Sequence, residues 1–405
     1  MHLPTRSVVA FQIRVLAGCC VDPSDRLGLA RLVEETLDKG TEHFSGQTLS
    51  DAFDAIGAGR SSGTGRETTT LTCTVLPEHF ERALELHGEM LRRPTFPESS
   101  VTAAVELAQQ ELQALEDDAQ SLTDKIISAQ TYGPILGRHP LGSAESLGRI
   151  AQADLVAHWK KYYASGRIVA TVAGPIEPQR VLNALEATFA GFGDAAPAGR
   201  DPVAPTFHAT ETHQPKELEQ QQISFCFPGV DAVHDGFPTQ QVMLGVLSGG
   251  MSGRLFTEVR EKRGLVYWVG AWQDTPRGIG TIFLGASTTP DRCDQTYETL
   301  LREVERVGED LQQAELDRAI TGIIASQETR GDATRARCSE LANDLFFFRR
   351  WMPLEEKIAR VRAVTIERIH RFLQDHPRDR LSVVTLGPRP LSHAPGDATA
   401  AGVSR

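Results

Sequence analysis

The sequence predicts an α+β protein of two homologous domains, each a mainly antiparallel sheet with packed helices. Three observations carry that expectation: a length of 405 residues, a repeated order of strand and helix patterns on either side of a Pro-rich stretch, and near-constant offsets between matching segments. Gly174 and Gly387, each closing an apolar strand pattern, stand 213 positions apart, and Leu155 and Ile369, each on the preceding helix pattern, stand 214 apart. The helical pattern at 106–119 matches that at 317–331 in the same order. Domains are therefore expected at 1–195 and 218–405. The intervening 196–217 contains Pro197, Pro202, Pro205 and Pro215, lacks periodicity of either kind, and is expected to be a linker.

Charge and composition exclude several functions. Forty-two Lys and Arg against 53 Asp and Glu give a net charge of −11, whereas a general nucleic-acid binder needs a basic footprint. Apolar runs such as 168–174 fall far short of the ~20 residues of a membrane helix. Cys19, Cys20, Cys73, Cys226, Cys293 and Cys338 form no CxxC pair, so buried thiols are expected rather than disulfides or a thiolate zinc site. Leu16-Ala17-Gly18-Cys19 looks like a lipoprotein cleavage box. However, Gln12 and Arg14 interrupt the apolar run such a signal requires, and Phe11, Ile13 and Val15 alternate with Ala10, Gln12 and Arg14 as in a half-buried strand. The strand reading places the chain in the cytoplasm, with the periplasm as the alternative.

Two helical patterns gather charge. In Gly28–Lys39, Leu29, Leu32, Val33 and Leu37 make an apolar stripe, while Arg31, Glu34, Glu35 and Asp38 fall together on the other side. A solvated face with an Arg31–Glu35 pair worth about 0.3 kcal/mol would explain that pattern by itself. In 101–118, Glu111 lies between Ala104, Leu107, Ala108 and Leu115 on one face. A carboxylate in an apolar stripe needs a metal or a guanidinium beside it, unless it snorkels to water at a domain edge.

These residues resemble the zinc helix of the pitrilysin or insulinase-type metallopeptidases, the inverted zincins, whose motif is HxxEH followed by a distal Glu. The match runs through Leu29-Ala-Arg-Leu-Val-Glu-Glu-Thr-Leu-Asp-Lys-Gly-Thr41, with Glu111 76 residues after Glu35 in the place of the third ligand. His139-Pro140-Leu141-Gly142 and Trp159-Lys-Lys-Tyr-Tyr163 match later landmarks of the family. Both histidines of the motif are replaced, by Arg31 and Glu35; only Glu34 and Glu111 match. Zinc prefers neutral imidazole nitrogens, and Arg31 brings a fixed positive charge instead, so no zinc is expected in this chain. A carboxylate-only site for Mg²⁺ or Ca²⁺ at Glu34, Glu35 and Glu111 is opposed by the same arginine.

In the second half, Leu247-Ser-Gly-Gly-Met-Ser-Gly-Arg-Leu-Phe256 and Glu258-Val-Arg-Glu-Lys-Arg-Gly-Leu-Val-Tyr-Trp268 resemble the family segment whose Arg and Tyr, seven residues apart, reach into the peptide cleft. Those positions are Arg260 and Tyr267. Without the resemblance they would read as a surface helix arginine and the first tyrosine of a strand. Gly249, Gly250 and Gly253 fit a tight turn rather than a phosphate loop, since no Gly-Lys-Ser/Thr follows. The resemblance implies a clam-like arrangement of domains and a non-catalytic subunit of a heterodimeric zinc peptidase acting on unfolded peptides. Zinc would sit in a homologous HxxEH-bearing partner, and Arg260 and Tyr267 would bind substrate. The alternatives are a stand-alone peptide-binding protein and a structural core subunit of a larger assembly.

Overall fold

The computed structural model describes residues 1–193 and 205–392. The chain divides into two compact units, each built from three segments: Met1–Ala114, Arg138–Val203 and Glu328–Met352 form the first, and Leu115–Gly137, Ala204–Gln327 and Pro353–Arg405 the second.

The first unit holds a four-stranded antiparallel sheet of β1 (Val9–Val15), β2 (Gly59–Thr64), β3 (Thr69–Val75) and β4 (Ile168–Ala173), in the order β2-β3-β1-β4. β1 alternates as read, but it is buried on both faces rather than half-buried, with Ala10 and Gln12 covered as well. Val9, Phe11, Ile13 and Val15 are all buried, and Phe11 meets Phe80 and His87 of the Phe80–Arg92 helix edge to face. On the opposite face Ala10 packs with Ala173 and Cys338, and Arg14 donates to Asn343 Oδ1 at 2.7 Å. Cys338 and Asn343 belong to the Thr334–Phe348 helix, which the second half of the sequence supplies.

The second unit holds a five-stranded sheet of β5 (Glu211–Pro215), β6 (Gln221–Gly229), β7 (Val266–Asp274), β8 (Gly280–Thr288) and β9 (Ser382–Gly387), in the order β5-β9-β6-β8-β7. Only the β5–β9 pairing is parallel. Ile223, Phe225 and Phe227 face a core shared with the Phe237–Ser248, Cys293–Val307 and Ile366–Asp375 helices. The other face takes the helical segment Ala119–Leu136, broken at Gly133 where φ is 73°, which comes from the first half of the sequence. Its Gln130 reaches Ser382 Oγ at 2.7 Å, and Tyr132 lies against Phe283. Each sheet is thus closed by a helix drawn from the other half of the sequence, so neither unit is the contiguous stretch expected at 1–195 or 218–405.

The duplication is visible in backbone geometry. The turn at Pro77–His79 and the turn at Pro290–Arg292 lead into their helices with the same dihedral angles, φ −104° and ψ 5° at both His79 and Arg292. Gly174 and Gly387 follow β4 and close β9 with φ of 151° and 158°, and a Cβ on Gly174 would come within 2.8 Å of the Val8 carbonyl oxygen.

Three expectations are corrected. The expected linker ends in a strand: 211–215 pairs with β9, and Lys216 continues the contact through a hydrogen bond to the Gly387 carbonyl. Residues 196–204 of that stretch lie outside the described residues. Cys20 is half-buried, whereas the other five thiols are buried, and all six are free. In the Glu98–Asp117 helix the buried line is Val101, Ala104, Ala108 and Leu112, and Leu107 is 46% exposed. The helix phase is rotated from the expected one, which leaves Glu111 at the margin of the stripe rather than its middle.

His87 sits in the first core between Phe11 and Phe53, with Nδ1 2.8 Å from the Ala83 carbonyl oxygen. Burial pushes its pKa from 6.5 down to about 4; the Ala83 contact opposes the shift and the charge of Arg60 adds to it. The unfolded imidazole takes up a proton near 6.5 and the folded one does not. Stability that is complete above pH 6.5 should therefore fall as the pH drops toward 4, by up to ~3 kcal/mol from this group. Urea unfolding at pH 7 and pH 4.5 should show a shallower pH dependence in His87→Leu than in the wild type. Equal slopes would contradict this account.

Candidate functional site

The Leu29–Thr36 helix is short and its start is fixed from outside. Gly28 adopts φ 97°, and the buried Asp22 carboxylate accepts from Gly28 N at 2.9 Å and Ala30 N at 2.8 Å, satisfying donors that have no partner within the helix. Leu29, Leu32, Val33 and Leu37 are buried as expected from their spacing.

The charged side of this helix is not a solvated face. Arg31 Nη1 lies 2.6 Å from Glu111 Oε2, and Arg31 Nη2 and Nε lie 2.5 and 3.2 Å from Glu35 Oε1. The side chains are only 18% exposed at Arg31, 23% at Glu35 and 39% at Glu111. Burial alone would depress the guanidinium pKa, but its bonds to the Glu111 and Glu35 carboxylates hold it above its ordinary value. Arg31, Glu35 and Glu111 are therefore brought together as one ion triad across two helices.

Glu34 points elsewhere. It is 8% exposed and its carboxyl bonds Ser62 on β2. Burial raises its pKa, with Glu35 and Asp38 adding to the shift, while Ser62 and Arg31 work against it. Asp38 pairs with Arg60 at 2.9 Å and Lys39 at 2.8 Å. Neither Ser62 nor the Asp38–Arg60 pair was foreseen, because both come from strand pairing at distant sequence positions.

These side chains do not fit zinc. A guanidinium already occupies the space between the two carboxylates, none of these side chains is an imidazole, and a metal would compete with Arg31 for the same oxygens. Among the described residues no group of three or more His, Cys, Asp or Glu side chains is arranged to hold a metal ion.

In the second unit Arg260 lies on the π-helical turn Phe256–Glu261, and Tyr267 lies at a bulge of the edge strand β7. The structure brings the two together. The Arg260 guanidinium carbon is 4.9 Å from the centroid of Phe256 and 5.0 Å from that of Tyr267, and Tyr267 is 72% exposed. Phe256, on the same π-helical turn as Arg260, completes the group, and regular helical spacing in the sequence does not announce a turn of this kind.

An ion network centred on the buried Arg254 surrounds this turn. Arg254, 7% exposed, forks onto Glu315 at 2.8 and 2.6 Å and reaches Asp310 at 2.7 Å. Arg306 joins Asp310 to Glu303, and Glu258 pairs with Lys262 at 2.7 Å and Arg263 at 2.9 Å. The glycines before the turn behave as expected: Gly250 has φ 103°, and a Cβ on Gly249 would lie 2.2 Å from the Gly245 carbonyl oxygen.

The duplicated α+β fold places the chain in a class of peptidase-like proteins. The chain belongs to peptidase family M16: residues 1–142 match the insulinase (peptidase family M16) model and residues 149–323 match the peptidase M16 inactive domain model. It is 26% identical to an uncharacterized zinc protease of Bacillus subtilis over 91% of this chain and 90% of that protein. It is 23% identical to a probable mitochondrial-processing peptidase subunit beta of Arabidopsis thaliana, over 92% of this chain and 73% of that protein. A crystal structure described as a peptidase M16 inactive domain from Pseudomonas fluorescens shares the fold, with a TM-score of 0.88 at 21% identity over 97% of this chain and 96% of that one. A protease from Helicobacter pylori gives the same TM-score at 14% identity, over 96% of each chain. Among the described residues no helix is long and apolar enough to cross a membrane.

The triad makes Arg31 a stabilising residue. Arg31→Ala leaves Glu35 and Glu111 facing each other without the cation and should cost ~1–3 kcal/mol in urea unfolding. A double-mutant cycle with Glu111→Ala should return a coupling of about 1 kcal/mol. A loss below ~0.5 kcal/mol with no coupling would mean an exposed helix pair instead.

Proposed function

We propose that this chain is the non-catalytic subunit of a heterodimeric zinc metallopeptidase that degrades or processes unfolded peptides. The observation that carries this reading is the Arg31 guanidinium bonded to both Glu35 and Glu111, a cation of the protein's own in the position of a metal. Zinc held by the HxxEH helix of a homologous partner would supply the Lewis acid and the activated water. What this chain contributes is Arg260, held against Phe256 and Tyr267 and anchored through the Arg254 network, together with the exposed Tyr267 phenol. An arginine fork and a phenol both donate to a polarised peptide carbonyl, and neither needs a proton transfer to do so.

Two expectations follow. The purified chain should hold no stoichiometric zinc and should not cleave unfolded peptides alone. Arg31→His combined with Glu35→His restores the motif beside Glu111 and should take up about one zinc per chain, lost again with Glu111→Gln. About one zinc in the wild type, lost on Glu34→Gln or Glu111→Gln, would overturn the reading.

In a complex reconstituted with a zinc-bearing homologue, Arg260→Ala and Tyr267→Phe in this chain should leave assembly intact and slow peptide hydrolysis. Loss of an oxyanion donor lowers kcat by ~10²–10³, whereas loss of a positioning contact mainly raises KM. Unchanged kcat and KM in both variants would favour the structural-subunit alternative.

A further inference from the structure

We propose that the Arg260 site selects peptides through a carboxylate, either the C-terminal group or an Asp or Glu side chain. This rests on the reading of Arg260 and Tyr267 as peptide-contacting residues and adds what they recognise. Arg260 is half-buried, and its contacts to Phe256 and Tyr267 accept none of its N–H hydrogens. Among the described residues no carboxylate, carbonyl or hydroxyl accepts a hydrogen bond from it. The neighbouring arginines are all engaged: Arg254 by Glu315 and Asp310, Arg263 by Glu258, and Arg306 by Glu303 and Asp310.

The acids of the same turn do not neutralise it. Glu258 is taken up by Lys262 and Arg263, and Glu261, next in the chain, makes no ion pair with it among the described residues. In a chain of net charge −11, this turn leaves one guanidinium with its charge and its fork of donors unspent. A planar fork matches the two oxygens of a carboxylate. Charge-assisted bidentate bonds are roughly twice as strong as those to a neutral carbonyl, so the site discriminates between the two. Tyr267, exposed and without a hydrogen-bond partner among the described residues, places a further donor beside it.

The test uses the full chain and three fluorescently labelled unfolded peptides of one sequence lacking internal acids. The first ends in a free carboxylate, the second in an amide, and the third in an amide with one central Glu. Binding is measured by anisotropy, and the folding of every variant is checked by its Tm. The first or the third peptide should bind about tenfold more tightly than the second, and which of them does so identifies the source of the carboxylate. Arg260→Gln should abolish that difference and Arg260→Lys should retain part of it. Arg302→Gln, which removes an exposed arginine paired with Glu309, should leave it intact and so control for net charge.

Equal affinity for all three peptides, weakened alike by Arg260→Gln, would overturn carboxylate selection while leaving the peptide contact standing. Equal affinity that neither Arg260→Gln nor Tyr267→Phe alters would overturn both. No binding of any peptide at millimolar concentration would also overturn the carboxylate site.

Discussion

Two carboxylates, Glu35 on one helix and Glu111 on another, converge within hydrogen-bonding reach of a single guanidinium, and the geometry of the first unit depends on that cation. Without a positive charge between them the two acids would repel, or one would take up a proton. The Leu29–Thr36 helix has eight residues, too few to be stable by itself, so what fixes it must come from outside. Asp22 holds its first turn, the apolar stripe seats it on the sheet, and Arg31 ties it to the Glu98–Asp117 helix. The same ion pairs put a guanidinium where a metal would have to sit.

The second unit places its charges by a related rule. Arg254, buried, is forked onto Glu315 and also reaches Asp310, and Arg306 and Glu258 each meet several partners. Partly exposed ion pairs of this kind add little net stability, but as a network they restrict the backbone to arrangements that satisfy its members. Here the restricted backbone is the π-helical turn that carries Arg260. Arg260 stands out because the network around it is complete without it.

Much of the fold could be read from the sequence because period and offset are local properties. β1 followed from the alternation of Phe11, Ile13 and Val15, and the duplication followed from Gly174 and Gly387, whose shared backbone conformation explains why glycine stands at both. Glu111 was identified correctly as needing a partner, but its surroundings were assigned one helix phase off. In a helix of low amphipathicity, Leu107 and Leu112 are equally good candidates for the buried line, and only packing decides between them. The exchanged Ala119–Leu136 and Thr334–Phe348 helices were not legible. Their sequences state that they are helices, not which sheet they cover, and the chain can satisfy either pairing with the same local pattern. β5 was hidden for another reason. A five-residue edge strand ending in Pro215, paired on one side only, needs no alternation of apolar residues and so leaves no periodic trace.

Comparison of the two copies shows where chemistry enters a shared frame. Leu29–Thr36 and Phe237–Ser248 begin after Gly28 and Gly236 and pack on equivalent sheets, yet the first carries Arg31, Glu34 and Glu35 while the second has no charged residue and buries Thr239, Val242 and Met243 instead. The polar side chain that this helix buries is spent inside the fold, since Gln240 accepts from Val230 N at 2.8 Å and donates to Gln273 Oε1 at 2.8 Å. In that unit the charged residues lie beyond the end of the element, after the glycine turn, in and around the π-helical turn. There a backbone departure from regular helix lets Phe256, Arg260 and Tyr267 meet. Duplication therefore supplied one scaffold twice, with a different relation to charge in each copy: in the first unit the cation is paired with two carboxylates inside the fold, and in the second it is held in place with its donors left open.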